Sequence, residues 1–183
     1  MNFSKTLLGL IASLVLVSNI NSREICLEFG QNDNYKITCC DNSKSFTSLS
    51  DFSKELNGEI TGNLFKSTSI EKNGDAIIFN DVSNSKPCNL TLKSVNTFRP
   101  MVFFNFGDNK AHFLNLIVDN SIDFFSIDYD SSDNVKIDRL QIESSSTKFS
   151  SNRKQVNLNS FTVGPNAEVR LNNAHISIKK GYK

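Results

Sequence analysis

Acidic side chains are the first residues in this chain whose types and spacing suggest chemistry. Asp119, Asp123, Asp128, Asp130 and Asp133 fall close together, with Asp138 and Arg139 just beyond. The run Asp128-Tyr-Asp-Ser-Ser-Asp133 offers carboxylates to a hard cation, and Asp128, Asp130 and Asp133 are the metal-ligand candidates. It lacks the glycine and terminal glutamate of an EF-hand loop, and Asp/Ser runs are also ordinary turn composition. Paired carboxylates would hydrolyse a glycosidic bond only at a separation of about 5 to 9 Å. The in-sequence test is therefore whether Asp119, Asp123, Asp128 and Asp138 converge on one face. No Ser/His/Asp or Cys/His arrangement and no glycine-rich phosphate loop is legible, so we assign no catalytic residue and no cofactor.

The four cysteines, Cys26, Cys39, Cys40 and Cys88, carry the second possible chemistry. The first 22 residues hold one positive charge, Lys5, then an apolar run from Leu7 to Val17, then small residues Ser18 and Ser22. That order reads as a secretory signal peptide, residues 1–22, cleaved after Ser22 or Ser18. The apolar run is shorter than the roughly 20 residues that span a bilayer, so no membrane span is expected after cleavage. The polar end Ile178-Lys-Lys-Gly-Tyr-Lys183 argues against a lipid-anchor signal. A secreted, extracellular location favours two disulfides, with Cys26 bonded to Cys39 or Cys40 and Cys88 to the other. Adjacent cysteines rarely bond to each other, because closing that ring strains the intervening peptide. A zinc site lacks C-x-x-C spacing and a nearby histidine. Asn89-Leu-Thr91 is an N-glycosylation sequon, with Asn89 the acceptor in a eukaryotic host.

Charge narrows the partners. Without Lys5 the basic residues fall from 20 to 19, against 19 acids, and no block of like charge stands out. Nucleic acid and anionic membrane are therefore poor partners. There is no tryptophan for sugar stacking, which leaves Tyr129 and Tyr182, and the 15 phenylalanines read as core.

Positioning these residues is the task of a β-rich scaffold. Glu24–Phe29 and Tyr35–Cys40 read as strands around the turn Gln31-Asn-Asp-Asn34. A short helix follows, with Ser50 as its cap, Leu49, Phe52 and Leu56 on one face, and Gly58 as its stop. From Ile77 onward, six eight-residue segments share one pattern: 77–84, 90–97, 111–118, 135–142, 156–163 and 169–176. Positions 1, 3, 6 and 8 are apolar in 22 of 24 cases, whereas positions 2, 4, 5 and 7 are apolar in three. Strand alternation holds within each half but breaks between positions 3 and 6, so the chain must bend at positions 4–5. Each bend pair contains Asn, Asp or Ser, as in Asn80-Asp81, Asp138-Arg139, Asn159-Ser160 and Asn172-Asn173. His112 and His175 occupy outward positions and read as surface residues.

The segment starts are 13, 21, 24, 21 and 13 residues apart, and about 20 residues make one coil of a β-solenoid. The 13-residue steps are short for a coil, so one of the adjoining matches is expected to be out of register. Met101-Val-Phe-Phe-Asn-Phe106 and Ile122-Asp-Phe-Phe-Ser-Ile127 read as further strands, each with one phenylalanine stacked inside.

The short helix Leu49–Asn57, followed by these segments, resembles right-handed parallel β-helix proteins of the pectin-lyase-like type. Asn63-Leu-Phe65 and Gly74-Asp-Ala-Ile-Ile78 faintly resemble the F-x-x-N and GGAI motifs of polymorphic outer-membrane-type repeats, although Asp75 replaces the second glycine. The resemblance implies an all-β fold, a right-handed parallel β-helix with a short N-terminal capping helix. The alternative is an antiparallel β-sandwich. It implies a disulfide-linked cap region at 23–60 and a β-helix domain at 61–183. Its enzymes act on polysaccharides with acids on outer faces, but are usually much longer than the 161 residues left after Ser22. The expected function is therefore a non-enzymatic secreted or surface-associated protein for adhesion, matrix building or ligand binding, with a glycan or another surface protein as partner. The alternative is a small polysaccharide lyase, hydrolase or glycan-binding module. Lys179, Lys180 and Lys183 would protect the open last coil from pairing. Replacing all three with Thr or Val should raise self-association in sedimentation; unchanged sedimentation would count against this role.

Overall fold

A computed structural model describes residues 24–62, 64–128, 135–143, 148–151, 156–163, 168–169 and 176–178. Residues 1–22, Tyr129, Asp130, Asp133, Asn172-Asn173, His175, Lys179, Lys180, Tyr182 and Lys183 lie outside them. Among the described residues the chain is mostly β, with one short helix, α1 (Leu49–Leu56). The early strands are β1 (Glu24–Phe29), β2 (Tyr35–Cys39), β3 (Asn42–Phe46), β4 (Ser69–Asn73) and β5 (Ala76–Asn80). After them come β6 (Cys88–Ser94), β7 (Met101–Asn105), β8 (Ala111–Val118), β9 (Phe124–Asp128) and β10 (Val135–Ile142). The last are β11 (Lys148–Ser151), β12 (Val156–Val163), β13 (Glu168–Val169) and β14 (Ile176–Ile178).

These strands form two mixed sheets, ordered β14-β12-β10-β8-β6-β1-β2-β3 and β13-β11-β9-β7-β5-β4. From β5 onward successive strands alternate between the two sheets, and from β7 onward each lies parallel to the strand two before it. Antiparallel hairpins join only β1–β2, β2–β3 and β4–β5 among the described residues, unlike a sandwich built throughout from antiparallel neighbours. No helix among them is long and apolar enough to cross a membrane. Because β1 pairs parallel with β6, regions 23–60 and 61–183 share one sheet and one hydrophobic core.

The eight-residue pattern holds most clearly in β8 and β10. Ala111, Phe113, Leu116 and Val118 are buried, as are Val135, Ile137, Leu140 and Ile142, while positions 2, 4, 5 and 7 are not. The ladder shows how both halves face one core. Phe113 pairs with Ile137 and Asn115 with Arg139, but Leu114 and Asp138 are skipped. Between β10 and β12 the ladder likewise skips Asp138 and Asn159. One rung is lost at position 4, and that interruption restores the alternation. The expected left-handed corner residue is present at Asp81, with φ 50°, but no residue of β8 or β10 has positive φ.

Three segments are out of register. Ile77 begins a stretch in the six-stranded sheet, whereas Leu90 belongs to the eight-stranded one. Leu90 pairs with Leu116, not with Ala111, leaving Val95 half-buried and Thr97 exposed. The last segment begins on β13 and ends on β14, in different sheets. Both 13-residue steps thus join strands of opposite sheets, while Ala111 to Val135 and Lys136 to Asn157 are pairings of 24 and 21 residues within one sheet.

Phenylalanines fill the space between the sheets. Phe104 lies 5.1 Å from Phe79, 5.3 Å from Phe125 and 5.6 Å from Phe65, the first two edge-to-face. Phe103 and Phe124 stack outside at 5.3 Å, so one ring of each Phe-Phe pair is inside, as the pattern implies. At the N-terminal end, α1 buries Phe52 and Leu56. Its cap is Ser48, not Ser50: the Ser48 hydroxyl oxygen accepts from the Asp51 amide at 3.1 Å. Strand β3 escaped sequence reading because only its last residue, Phe46, is buried. Phe104→Ala should cost about 3 to 5 kcal/mol in urea unfolding. Phe103→Ala, on the outer face, should cost about 1 kcal/mol or less; equal costs would contradict this division of the pair.

Candidate functional site

An acid stands at position 4 of β10, where the ladder skips a rung. Position 2 of β10, Lys136, lies in register beside position 2 of β8, His112, both on the outer face. Asp138, released from the ladder, turns its carboxylate between them. Its Oδ2 lies 2.9 Å from His112 Nε2 and its Oδ1 3.1 Å from Lys136 Nζ. Burial works against the charge on Asp138, but the hydrogen bonds from His112 and Lys136 outweigh it and hold the carboxyl below its usual range.

His112 is also fixed through its backbone. The Asn84 side chain donates to His112 O and accepts from His112 N, both at 2.8 Å, completing the sheet where β6 has not yet begun. The same amide reaches Cys88 Sγ at 3.6 Å. Burial pushes the Cys88 thiol up to about 11 despite that bond, so it is an inert core group. The Asn84 backbone N–H donates to Lys110 O at 3.3 Å, which draws the Asn84–Pro87 loop against the start of β8.

A hollow of about 250 Å³ results, lined by Asn84, Ser85, Lys86, Lys110, His112 and Lys136, with Pro87 and Ala111 as apolar floor. Lys86 and Lys110 are exposed, and neither has a carboxylate within ion-pair distance among the described residues. Three ammonium groups and an imidazole around one hollow, with a single acid among them, suit an anion.

Of the acids singled out in the sequence, the described ones, Asp119, Asp123, Asp128 and Asp138, do not converge. Asp119 closes the turn after β8, where its Oδ1 accepts from the Ser121 amide at 2.9 Å and the Ser121 hydroxyl at 2.6 Å. Asp123 stands before β9, its amide bonded to Pro100 O, and Asp128 ends β9 in the other sheet. Of these four, Asp138 borders the hollow through His112 and Lys136, which line it, and Arg139 beside it is exposed. Among the described residues, no three His, Cys, Asp or Glu side chains group as a metal site.

The four cysteines are thiols in this structure. Cys26 is half-buried, on the opposite face of the sheet from buried Cys39. Cys39 on β2 and Cys88 on β6 are separated by β1. Two strand spacings place their Cα atoms about 10 Å apart, beyond disulfide reach. Asn89 lies half-buried on β6, and its Oδ1 accepts from Asn115 Nδ2 at 2.6 Å.

Comparison with protein-family models, with curated proteins and with solved structures finds no match. The hollow therefore rests on its own geometry. Lys136 and His112 were legible as equivalent positions of successive segments; Asn84 and Lys86 were not, because the first two segments were out of register. Since the folded carboxyl of Asp138 titrates below its ordinary value of 3.8, its contribution is present above that value and lost as pH falls through the folded one. Asp138→Asn should cost about 1 kcal/mol near neutral pH, and the difference should shrink as acid protonates the folded carboxyl. A pH-independent difference in urea midpoints would contradict the pairing.

Proposed function

We propose that the chain is a secreted, right-handed parallel β-helix that serves as a non-enzymatic binding protein, taking an acidic glycan at the Lys86–Lys110–Lys136 hollow. The β-helix reading is supported by strands that alternate between two sheets and stack parallel at steps of 20 to 26 residues, such as Val156 to Ile176 and Leu90 to Leu116. Crossovers between parallel strands of one sheet are right-handed in nearly all folds, which gives the hand. Antiparallel β1–β3 and helix α1 then cap the first coil.

The observation that carries the functional reading is the pair of exposed lysines, Lys86 and Lys110, with no carboxylate in ion-pair distance among the described residues, beside an imidazole hydrogen-bonded to Asp138. A sulfated or uronate sugar supplies the missing negative charge, together with hydroxyls for Ser85 and Asn84. The hollow is open and shallow, as suits one sugar unit of a longer chain lying along the outer face. Adhesion to, or building of, an extracellular matrix follows from repeated contacts of this kind.

The His112–Asp138 contact favours one second reading. A histidine held by a carboxylate next to lysines is also the equipment for abstracting a proton beside a uronate carboxyl, so a small polysaccharide lyase is the alternative. Binding to immobilised heparin and polygalacturonate separates the two. Wild type should bind, and weaken steeply as salt rises. Lys86→Ala/Lys110→Ala should lose about tenfold or more in affinity, some 1.4 kcal/mol. Absence of binding to any acidic glycan would refute the proposal, and growth of unsaturated-uronate absorbance would replace it with the lyase.

A further inference from the structure

Cys39 and Cys40 hold a conformation that adjacent cysteines in a strand do not have. Successive side chains of a strand point to opposite faces, which keeps their sulfurs apart. Here β2 ends at Cys39, which pairs with Asn42, so Cys40 and Asp41 form a two-residue hairpin connection. The first residue of such a turn commonly takes positive φ, a place for Gly or Asn. Cys40 takes it instead, with φ 58°. A β-carbon there costs about 1 to 2 kcal/mol. The Cys40 amide also donates to Glu24 O at 3.2 Å, which fastens the turn to β1. The result is that Cys40 Sγ lies 3.6 Å from Cys39 Sγ, the two thiols in hydrogen-bond contact.

Exposure divides the pair in a useful way: Cys40 is exposed and Cys39 is buried. We propose that Cys39 and Cys40 are a redox site that closes to a vicinal disulfide by exchange with an external small-molecule disulfide. The Cys40 thiolate attacks one sulfur of that disulfide, forming a mixed disulfide and releasing one thiol. The Cys39 thiol, after losing its proton, attacks the Cys40 sulfur and displaces the second. The protein gives up two protons and two electrons, and the external disulfide becomes two thiols. The other cysteines are unsuited to the exchange. Burial raises both the Cys26 and the Cys88 thiol, although nearby Lys93 opposes the effect at Cys26, and neither lies in the turn. In an oxidising exterior the ring closes; in a reducing compartment it stays open. This site shares no residue with the Lys86–Lys110–Lys136 hollow, so either proposal stands without the other.

Reduced full-length chain, incubated with oxidised glutathione, quenched with iodoacetamide and mapped by mass spectrometry, tests the idea. The peptide holding Cys39 and Cys40 should be two hydrogens lighter and unalkylated, while Cys26 and Cys88 alkylate once the chain is denatured. In Cys40→Ser, Cys39 should stay a thiol under the same treatment. The proposal fails if Cys39 and Cys40 both remain alkylatable, if Cys40 is recovered as a lasting glutathione adduct, or if either is bonded to Cys26 or Cys88.

Discussion

The molecule depends on one interruption: a strand that must turn both its ends toward a single core surrenders one ladder rung in its middle. An eight-residue strand with strict alternation would bury positions 1, 3, 5 and 7. The apolar residues here stand at 1, 3, 6 and 8, and burying Phe113 together with Leu116 requires two consecutive outward residues between them. Skipping Leu114, Asp138 and Asn159 in neighbouring ladders meets that requirement in three stacked strands at one level. Because the strands are parallel and in register here, each interruption lies beside the next.

The same interruption arranges the outer surface. Asp138, at the skipped position, bridges His112 and Lys136. Side-chain amides take over where main-chain pairing thins. Asn84 serves His112 as a substitute rung, Asn115 donates to Asn89 between β8 and β6, and Asn105 donates to Asn80 between β7 and β5. Asparagine thus has a mechanical meaning, as short amides bonding between neighbouring strands of each sheet. On the inside, Phe29, Phe79, Phe104 and Phe125 run through the stack at 5.1 to 6.2 Å from ring to ring, which ties the cap of β1 and α1 to the later strands.

The sequence made the later strands legible because both sides of β8 and β10 follow one binary code, and the inward ring of each Phe-Phe pair could be named in advance. The earlier strands were harder for a physical reason. Between β6 and β8 the register shifts at Cys88/Asn89, and Leu90, the first residue of its segment, pairs with Leu116, the sixth of the next. Strand β3 has almost no inward face and hence no periodicity. The candidate site was half visible. His112 and Lys136 share position 2, but Lys86 and Asn84 reach the hollow from a loop, where no periodicity operates. The cysteines were read by parity, which carries no information on which face of a strand each thiol occupies.

The central claim is that the bent strands stack parallel with their interruptions level. Methyl and aromatic nuclear Overhauser effects on isotope-labelled protein report this directly. The account predicts cross-peaks between Phe113 and Ile137, Leu116 and Leu140, and Val118 and Ile142, all in one spectrum. Cross-peaks joining Phe113 to Ile142 and Val118 to Ile137 instead would mean antiparallel neighbours, and would contradict the stack, the bend and the hollow built on it.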